Sequence, residues 1–213
     1  MSRRLRQSLL VSALLIAAAS PAMAADKVVP ASRALPFLEN YLKLPPAERS
    51  HFTMAYYLRV GGQPLTAPVW LVQGERRTRV PISPKGKVER LPTLAELAEG
   101  QLSIGVDSET KVGTTFGLEP LLAPAADLDA KELAAAVAQA TVGQRKIAGV
   151  MALAMPKLKD VEFVGVPSGE VEFADGRRAP LPLTKGVPTY DPAVLANAKR
   201  IHLPKVPDKL DIN

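Results

Sequence analysis

The chain contains the stretch Gly74-Glu-Arg-Arg-Thr-Arg-Val-Pro-Ile-Ser-Pro-Lys-Gly86, and about 100 residues later it contains Gly176-Arg-Arg-Ala-Pro-Leu-Pro-Leu-Thr-Lys-Gly186. Both stretches hold an Arg-Arg pair, then a proline followed by an apolar and a hydroxyl residue, then a Lys-Gly step typical of a turn. A short segment rich in alanine and leucine follows each of them. A repeat of this kind indicates how a chain is built. It does not by itself indicate any chemistry.

The start of the chain has the pattern of a secretory signal peptide. Three arginines lie within the first six residues, Leu9–Ala19 is apolar, and Ala22-Met-Ala24 matches a small-x-small cleavage site. The apolar run is too short to cross a bilayer as a permanent helix, and the cleavage site argues against a retained anchor. The pair Arg3-Arg4 leaves a twin-arginine export route open. We therefore expect residues 1–24 to be a cleaved signal peptide and the mature protein to be periplasmic.

Half of the chain's net positive charge belongs to this first segment. The whole chain has 27 Lys and Arg against 21 Asp and Glu, a net charge of +6. Residues 1–24 hold three of these cations and no acid, which leaves 24 against 21, or +3. A nucleic-acid-binding protein usually has a clustered basic face. With so small a charge and an exported location, we expect no nucleic-acid partner.

The chain contains no cysteine. This excludes disulfide bonds, a thiol nucleophile, a thiolate metal site and a lipoprotein anchor. The fold must therefore rest on a hydrophobic core, and the 189 residues that follow residue 24 suffice for one domain or two small ones. Because no second apolar stretch has membrane length, we expect a protein that does not span a membrane after signal cleavage.

Alternating apolar and polar residues predict strands in both halves of the chain. Phe52, Met54, Tyr56 and Leu58 alternate with more polar residues, which is typical of a half-buried strand. Val69–Val72 is apolar on both faces, which is typical of a central strand. Shorter runs that alternate like the one at Phe52 lie around Leu102 and Val171. These runs are short and separated by turn residues, so they indicate antiparallel sheets.

Two helices are predicted, one before each group of strands. Ser32 to Leu44 has leucines at helical spacing, with Ser32 as the N-cap, and the following prolines end it. The second helix starts at Asp129, three residues before Glu132, which is the spacing of a capping box. Its apolar stripe is the set Leu133, Val137, Ala140, Ile147, Met151 and Ala154. Gln144 interrupts the stripe, and Gly143 beside it indicates close helix packing or a break.

These patterns predict an α+β fold of two similar units, each a helix followed by a small antiparallel β-sheet. We expect the units at 32–106 and 127–203, joined by a linker at 107–126. A flexible lead-in at 25–31 and a surface tail at 204–213 would flank them. Whether the units are tandem or form one pseudo-symmetric domain is open at this point. Each sheet with one apolar face needs a cover, and each helix offers one apolar stripe.

The duplicated arginines are the candidate binding residues: Arg76, Arg77, Arg177 and Arg178. A guanidinium group suits phosphates and carboxylates. These positions are therefore predicted to bind an anionic envelope component, such as a lipid phosphate or a cell-wall carboxylate, or an acidic partner protein. The alternative is structural, because charged side chains also protect exposed sheet edges from unwanted pairing.

No pattern in the chain predicts catalysis, a metal or a cofactor. His51 and His202 are the only histidines and have no acidic neighbour at the spacing of a metal site. Gln144 has two open interpretations, a contact to a ligand groove or a backbone partner at a bend. We therefore expect a non-catalytic binding or interaction protein of the cell envelope. The alternatives are an envelope hydrolase with a site assembled only in three dimensions, and a chaperone-like or structural module.

Overall fold

The computed structural model describes residues 26–213, so the predicted signal peptide at 1–24 lies outside the described residues. The described part is a mixture of helices and antiparallel sheets, which confirms the α+β class. Its helices are α1 (Ala31–Ala34), α2 (Leu38–Lys43), α3 (Leu94–Glu99) and α4 (Ala130–Ala148). Short 3₁₀ helices occupy Pro46–Glu48 and Gly149–Ala154. Within 26–213, no helix is long and apolar enough to cross a membrane.

The strands form three sheets in which every neighbouring pair is antiparallel. In chain order they are β1 (Asp26–Pro30), β2 (Phe52–Val60), β3 (Gln63–Pro64), β4 (Val69–Gln73), β5 (Arg76–Val80), β6 (Gln101–Asp107), β7 (Val112–Pro120), β8 (Asp127–Asp129), β9 (Val161–Val164), β10 (Glu170–Phe173), β11 (Arg178–Pro180), β12 (Leu183–Thr184), β13 (Val187–Tyr190), β14 (Ala198–His202) and β15 (Lys209–Ile212).

One large sheet takes strands from both halves of the chain. Its order is β12-β13-β9-β15-β7-β2-β3. The two four-stranded sheets have the orders β1-β6-β4-β5 and β11-β10-β14-β8. Helix α4 contacts β2 and β7 of the large sheet and β8 and β14 of the second small sheet. It therefore covers the apolar face of the large sheet, and the core lies between them.

Three segments that were expected to be irregular are strands, and those expectations are wrong. Asp26–Pro30, predicted as part of a flexible lead-in, is β1 and pairs with β6. Val112–Pro120, inside the predicted linker, is β7 and pairs with β2 along nine residues. Lys209–Ile212, in the predicted tail, is β15 and lies between β9 and β7. Their backbone hydrogen bonds to partners distant in sequence supply the order that their composition does not indicate.

The first predicted helix is broken in two. It was expected to run from Ser32 to Leu44, but α1 ends at Ala34 and α2 begins at Leu38. Pro36 has no backbone N–H to donate, and Phe37 has φ of +65°, which is outside the helical region. The predicted N-cap is also wrong, because α1 is preceded by Pro30 and Ser32 lies within it.

The start of the second predicted helix is confirmed, and the helix ends earlier than the sequence predicted. Asp129 Oδ1 accepts hydrogen bonds from the backbone N–H groups of Lys131 at 2.8 Å and Glu132 at 3.3 Å, so Asp129 is the N-cap. The apolar stripe was expected to continue to Ala154, but α4 ends at Ala148. Gly149 has φ of +57°, a left-handed conformation that glycine adopts without strain. The chain then continues as a 3₁₀ helix.

Helix α4 packs closely against the large sheet at Gly143. A Cβ atom added there would lie 2.5 Å from Cζ of Phe52, a fully buried ring on β2. The close packing that the sequence indicated at this position is confirmed. The four predicted core residues of β2 are buried as well, with 0 to 3% exposure for Phe52, Met54, Tyr56 and Leu58.

We predict that Gly143→Ala lowers the free energy of unfolding by about 2 kcal/mol, because overpacking against Phe52 outweighs the better helix propensity of alanine. Urea denaturation measures the change. Gly113→Ala is the matched control, since Gly113 is an exposed strand residue with no atom within 4 Å of an added Cβ. Equal stability of the two variants would contradict this account of the α4 packing.

Candidate functional site

An apolar cavity of about 250 Å³ lies between the end of α4 and the large sheet. Its walls come from β2, β7, α4, β15 and the segment after the 3₁₀ helix at 149–154. We define the apolar cavity by Met54, Phe116, Leu118, Ile147, Leu158 and Ile212. Unbranched Met54 adapts its shape easily to different contents. A preformed apolar cavity with few polar groups is the usual form of a small-molecule site.

Gln144 places a polar group in the wall of the apolar cavity. Its side chain is 9% exposed, and its Nε2 donates a hydrogen bond to the backbone oxygen of Pro156 at 3.3 Å. The sequence left two interpretations of Gln144 open, a contact to a ligand groove and a backbone partner at a bend. Gln144 lines a cavity and also has a backbone partner. The hydrogen bond ties the chain after the 3₁₀ helix to α4 and keeps this wall in place.

Strained and aromatic residues form the rim of the apolar cavity. Phe37 has φ of +65°, a conformation that is costly for a bulky residue and that concentrates at functional sites. Its ring lies 5.5 Å from the ring of Phe116, which is 40% exposed. Tyr56 holds this turn, since its hydroxyl donates to the backbone oxygen of Pro36 at 2.7 Å. The rim is thus an apolar surface that remains open to solvent.

A second, more open depression of about 580 Å³ adjoins the apolar cavity and shares Phe37, Ile147 and Ala148 with it. We call it the lysine groove, because Lys43 and Lys146 line it. Each lysine has an acidic partner at 2.6 Å, Glu39 for Lys43 and Glu48 for Lys146. All four side chains are exposed to between 38 and 58%, so these pairs are weak and exchange readily with solvent or a bound anion.

The four candidate arginines lie elsewhere, in the β4–β5 and β10–β11 hairpins. None of them lines the apolar cavity or the lysine groove. Arg77 donates to Asp26 at 2.9 Å and stacks on Trp70, with its guanidinium carbon 4.8 Å from the ring centroid. Strands β5 and β11 are both sheet edges. This placement agrees with the structural interpretation, in which charged side chains protect exposed sheet edges from unwanted pairing.

The second pair is engaged in the same way. Arg177 donates to Asp175 at 2.7 Å, and Arg178 donates to Glu172 at 3.2 Å. The hydrogen bond from Arg177 holds the pKa of Asp175 below its ordinary value. These pairs are exposed to a degree similar to the lysine pairs of the groove, so they too are weak and exchange readily with solvent or a bound anion. What separates the arginines from the candidate site is their position, since they lie at two hairpins away from both depressions.

A polar network lies on the face of the large sheet that points away from the apolar cavity. The sequence did not indicate it. Buried Glu119 accepts a hydrogen bond from the hydroxyl of Tyr57 at 2.6 Å and one from Nζ of Lys87 at 2.5 Å. Burial, and then the hydrogen bond to Glu119, raise the pKa of Tyr57. A tyrosine with a raised pKa stays a neutral hydrogen-bond donor at neutral pH. The network can therefore fix a ligand or the strands, and it does not supply a phenolate base.

His202 has acidic partners that come from other strands. Its Nδ1 contacts Asp127 on β8, and its Nε2 lies 3.1 Å from Glu172 on β10. The hydrogen bond from His202 lowers the pKa of Glu172. The sequence could not indicate these partners, because strand pairing and not spacing brings them together. Across 26–213, no three His, Cys, Asp or Glu side chains are grouped so that they could hold a metal ion.

Comparisons with known proteins do not identify the chain. No protein-family model, no characterised protein and no solved structure matches it. The assignment of a function therefore rests on the residues and the geometry described above.

Asp160 beside the apolar cavity is a buried acid that the fold leaves without full compensation. The residue is 4% exposed, and among the described residues its Oδ1 receives no hydrogen bond. Its backbone N–H donates to the oxygen of Asn213, a residue that lines the apolar cavity. Burial raises the pKa of the Asp160 carboxyl above its ordinary value of 3.8, and the neighbouring Asp191 raises it further.

We predict that Asp160→Asn stabilises the protein increasingly as the pH rises above 3.8 and through the raised pKa of the Asp160 carboxyl. The folded state holds the proton of Asp160 where the unfolded state has lost it, so the wild type loses stability as pH rises through the raised pKa. Urea denaturation at several pH values measures this. Glu109→Gln, in an exposed turn, controls for the loss of one negative charge. Parallel stability curves for wild type and Asp160→Asn would contradict the prediction.

Proposed function

We propose that the chain is a non-catalytic binding protein of the cell envelope, and that its ligand is a single-chain amphiphile with an anionic head. One observation carries the proposal: an apolar cavity opens beside a groove lined by lysines. The two features share three lining residues and are therefore adjacent, and we propose that one ligand occupies both. The hydrocarbon chain would fill the apolar cavity, and the anionic head would lie in the lysine groove.

The volume of the apolar cavity suits a short hydrocarbon chain. An apolar cavity of about 150 Å³ in another protein stays dry and binds benzene. The apolar cavity here is larger, at about 250 Å³. Each buried methylene group contributes about 0.8 kcal/mol. Affinity should therefore rise about fourfold with each methylene until the apolar cavity is full.

The lysine groove supports an anionic head over a neutral one. Lys43 and Lys146 are its charged lining residues, and their acidic partners are exposed. Asn40 also lines it, but its Nδ2 already donates to the backbone oxygen of Ile147 at 2.7 Å. Selectivity would thus come from the two lysines. Exposed charge pairs contribute up to about 1 kcal/mol each, so the preference for an anion should be modest.

We predict that decanoate binds to the protein, that 1-decanol binds about threefold more weakly, and that octanoate binds more weakly than decanoate. Isothermal titration calorimetry measures all three. Ala148→Trp, which adds a large ring at a residue that lines both depressions, should lower decanoate affinity at least about tenfold, since it removes room for several methylene groups. Lys146→Gln should reduce the affinity for decanoate and leave that for 1-decanol unchanged.

Two matched variants serve as controls. Val142→Trp adds the same ring to α4 at a position that is 53% exposed and lines neither depression, and it should leave binding unchanged. Joint replacement of Arg76, Arg77, Arg177 and Arg178 by alanine should do the same. Failure of decanoate to bind would contradict the proposal. So would equal losses of affinity in Ala148→Trp and Val142→Trp.

Binding of an anionic envelope component through the four arginines is a separate proposal. Their exposed position at two hairpins supports it, although neither hairpin carries the apolar cavity that would hold the rest of an amphiphile. The hydrolase alternative would use the network around Glu119, where the raised pKa of Tyr57 offers no base at neutral pH. The chaperone-like alternative would use exposed apolar side chains, of which Leu153 has the highest exposure.

Export and the two-unit architecture belong to the same proposal. The pattern of residues 1–24 supports secretion to the periplasm, and recovery of a chain that begins at Ala25 would test it.

The strand orders support a pseudo-symmetric pair of units. Read from the first strand of each half, the small sheets are β1-β6-β4-β5 and β8-β14-β10-β11. Their hairpins β4–β5 and β10–β11 contain the repeated arginine pairs.

A further inference from the structure

The 3₁₀ helix at Gly149–Ala154 exposes large apolar side chains to solvent. Val150 is 86% exposed, Met151 58% and Leu153 93%. We call this stretch the apolar segment. Soluble proteins seldom leave contiguous apolar side chains so exposed unless the surface contacts another molecule. Leu153 lines neither the apolar cavity nor the lysine groove, so the proposed amphiphile does not account for its exposure.

Cations flank the apolar segment in the sequence on both sides. We define the basic rim as Arg145, Lys146, Lys157 and Lys159, all of which are exposed. Residues 145–159 contain these four cations and no acid. Lys146 pairs with Glu48 at 2.6 Å, and Lys159 lies 3.8 Å from the buried Asp160. Exposed apolar side chains flanked by positive charge are typical of a surface that lies on anionic lipid.

We propose that the apolar segment and the basic rim dock the protein onto an anionic lipid surface. The apolar side chains enter the boundary between head groups and acyl chains, and the basic rim contacts lipid phosphates. A second copy of the chain fits this surface less well. Symmetric pairing of two apolar segments would bring two basic rims together, and like charges at an interface oppose association.

The inference goes beyond the proposed ligand. Val150, Met151 and Lys146 also line the lysine groove, so they belong to both surfaces. Leu153 and Lys157 line neither depression, and the two properties can therefore be tested separately at these two residues. A Leu153→Asp variant that binds decanoate as the wild type does, but no longer binds lipid vesicles, would separate the two properties. Because Leu153 is 93% exposed, the substitution leaves the core packing intact.

The test is flotation of the protein with vesicles of phosphatidylglycerol and phosphatidylcholine in equal amounts, at low salt. Leu153→Asp should lower the partition coefficient at least about tenfold, since it places a charge where the side chain would meet hydrocarbon. Lys157→Gln should lower it about fivefold, the contribution of one basic residue at an anionic surface. Vesicles of phosphatidylcholine alone should bind weakly. All variants begin at Ala25, where the predicted signal cleavage leaves the chain, so the arginines and the apolar run of residues 1–24 do not contribute to vesicle binding.

Leu183→Asp is the matched control, because Leu183 is 57% exposed on β12 and lies outside residues 145–159. It should bind the vesicles as the wild type does. Equal partition of wild type and Leu153→Asp would overturn the inference. A concentration-dependent dimer that Leu153→Asp abolishes, without any vesicle binding by the wild type, would overturn it as well and would identify a second copy as the occupant.

Discussion

The contact between Gly143 of α4 and the ring of Phe52 fixes the distance between the helix and the large sheet. The missing side chain lets the helix backbone approach β2 closely, and Phe52 has no exposed surface. Toward the end of α4, Ile147 is still part of the core, and together with Ala148 it lines the apolar cavity. The same helix therefore packs tightly against the large sheet at Gly143 and, about one turn later, leaves the space of the apolar cavity. The candidate site depends on this difference in packing along α4.

Part of this arrangement could be predicted from the sequence. The alternation in β2 identified its buried face, and Asp129 identified the start of α4. Gly143 indicated close packing, because a glycine within a helix is costly unless something requires it. Strands β7 and β15 could not be predicted. Strand β7 contains two glycines and has several exposed residues, and β15 has four residues, so both depend on hydrogen bonds to distant partners.

The candidate site was even less visible in the sequence. Gln144 was the single signal of it, as a polar residue in an apolar stripe. The other walls come from four further parts of the chain, and no spacing rule connects them. The arginines attracted attention because they repeat, yet they lie in two hairpins at sheet edges, and three of the four have carboxylate partners. A repeated motif can be a structural element or a binding element, and the repeat alone does not distinguish the two. The cavity could not be seen in the sequence, because folding brings its walls together.

The account makes one central claim, that the apolar cavity holds a hydrocarbon chain. Nuclear Overhauser contacts between decanoate and protein methyl groups test it most directly. We predict contacts to Leu118, Ile147 and Leu158, which line the apolar cavity, and none to exposed Val194. Contacts spread over exposed apolar residues, with none from the cavity walls, would contradict the claim.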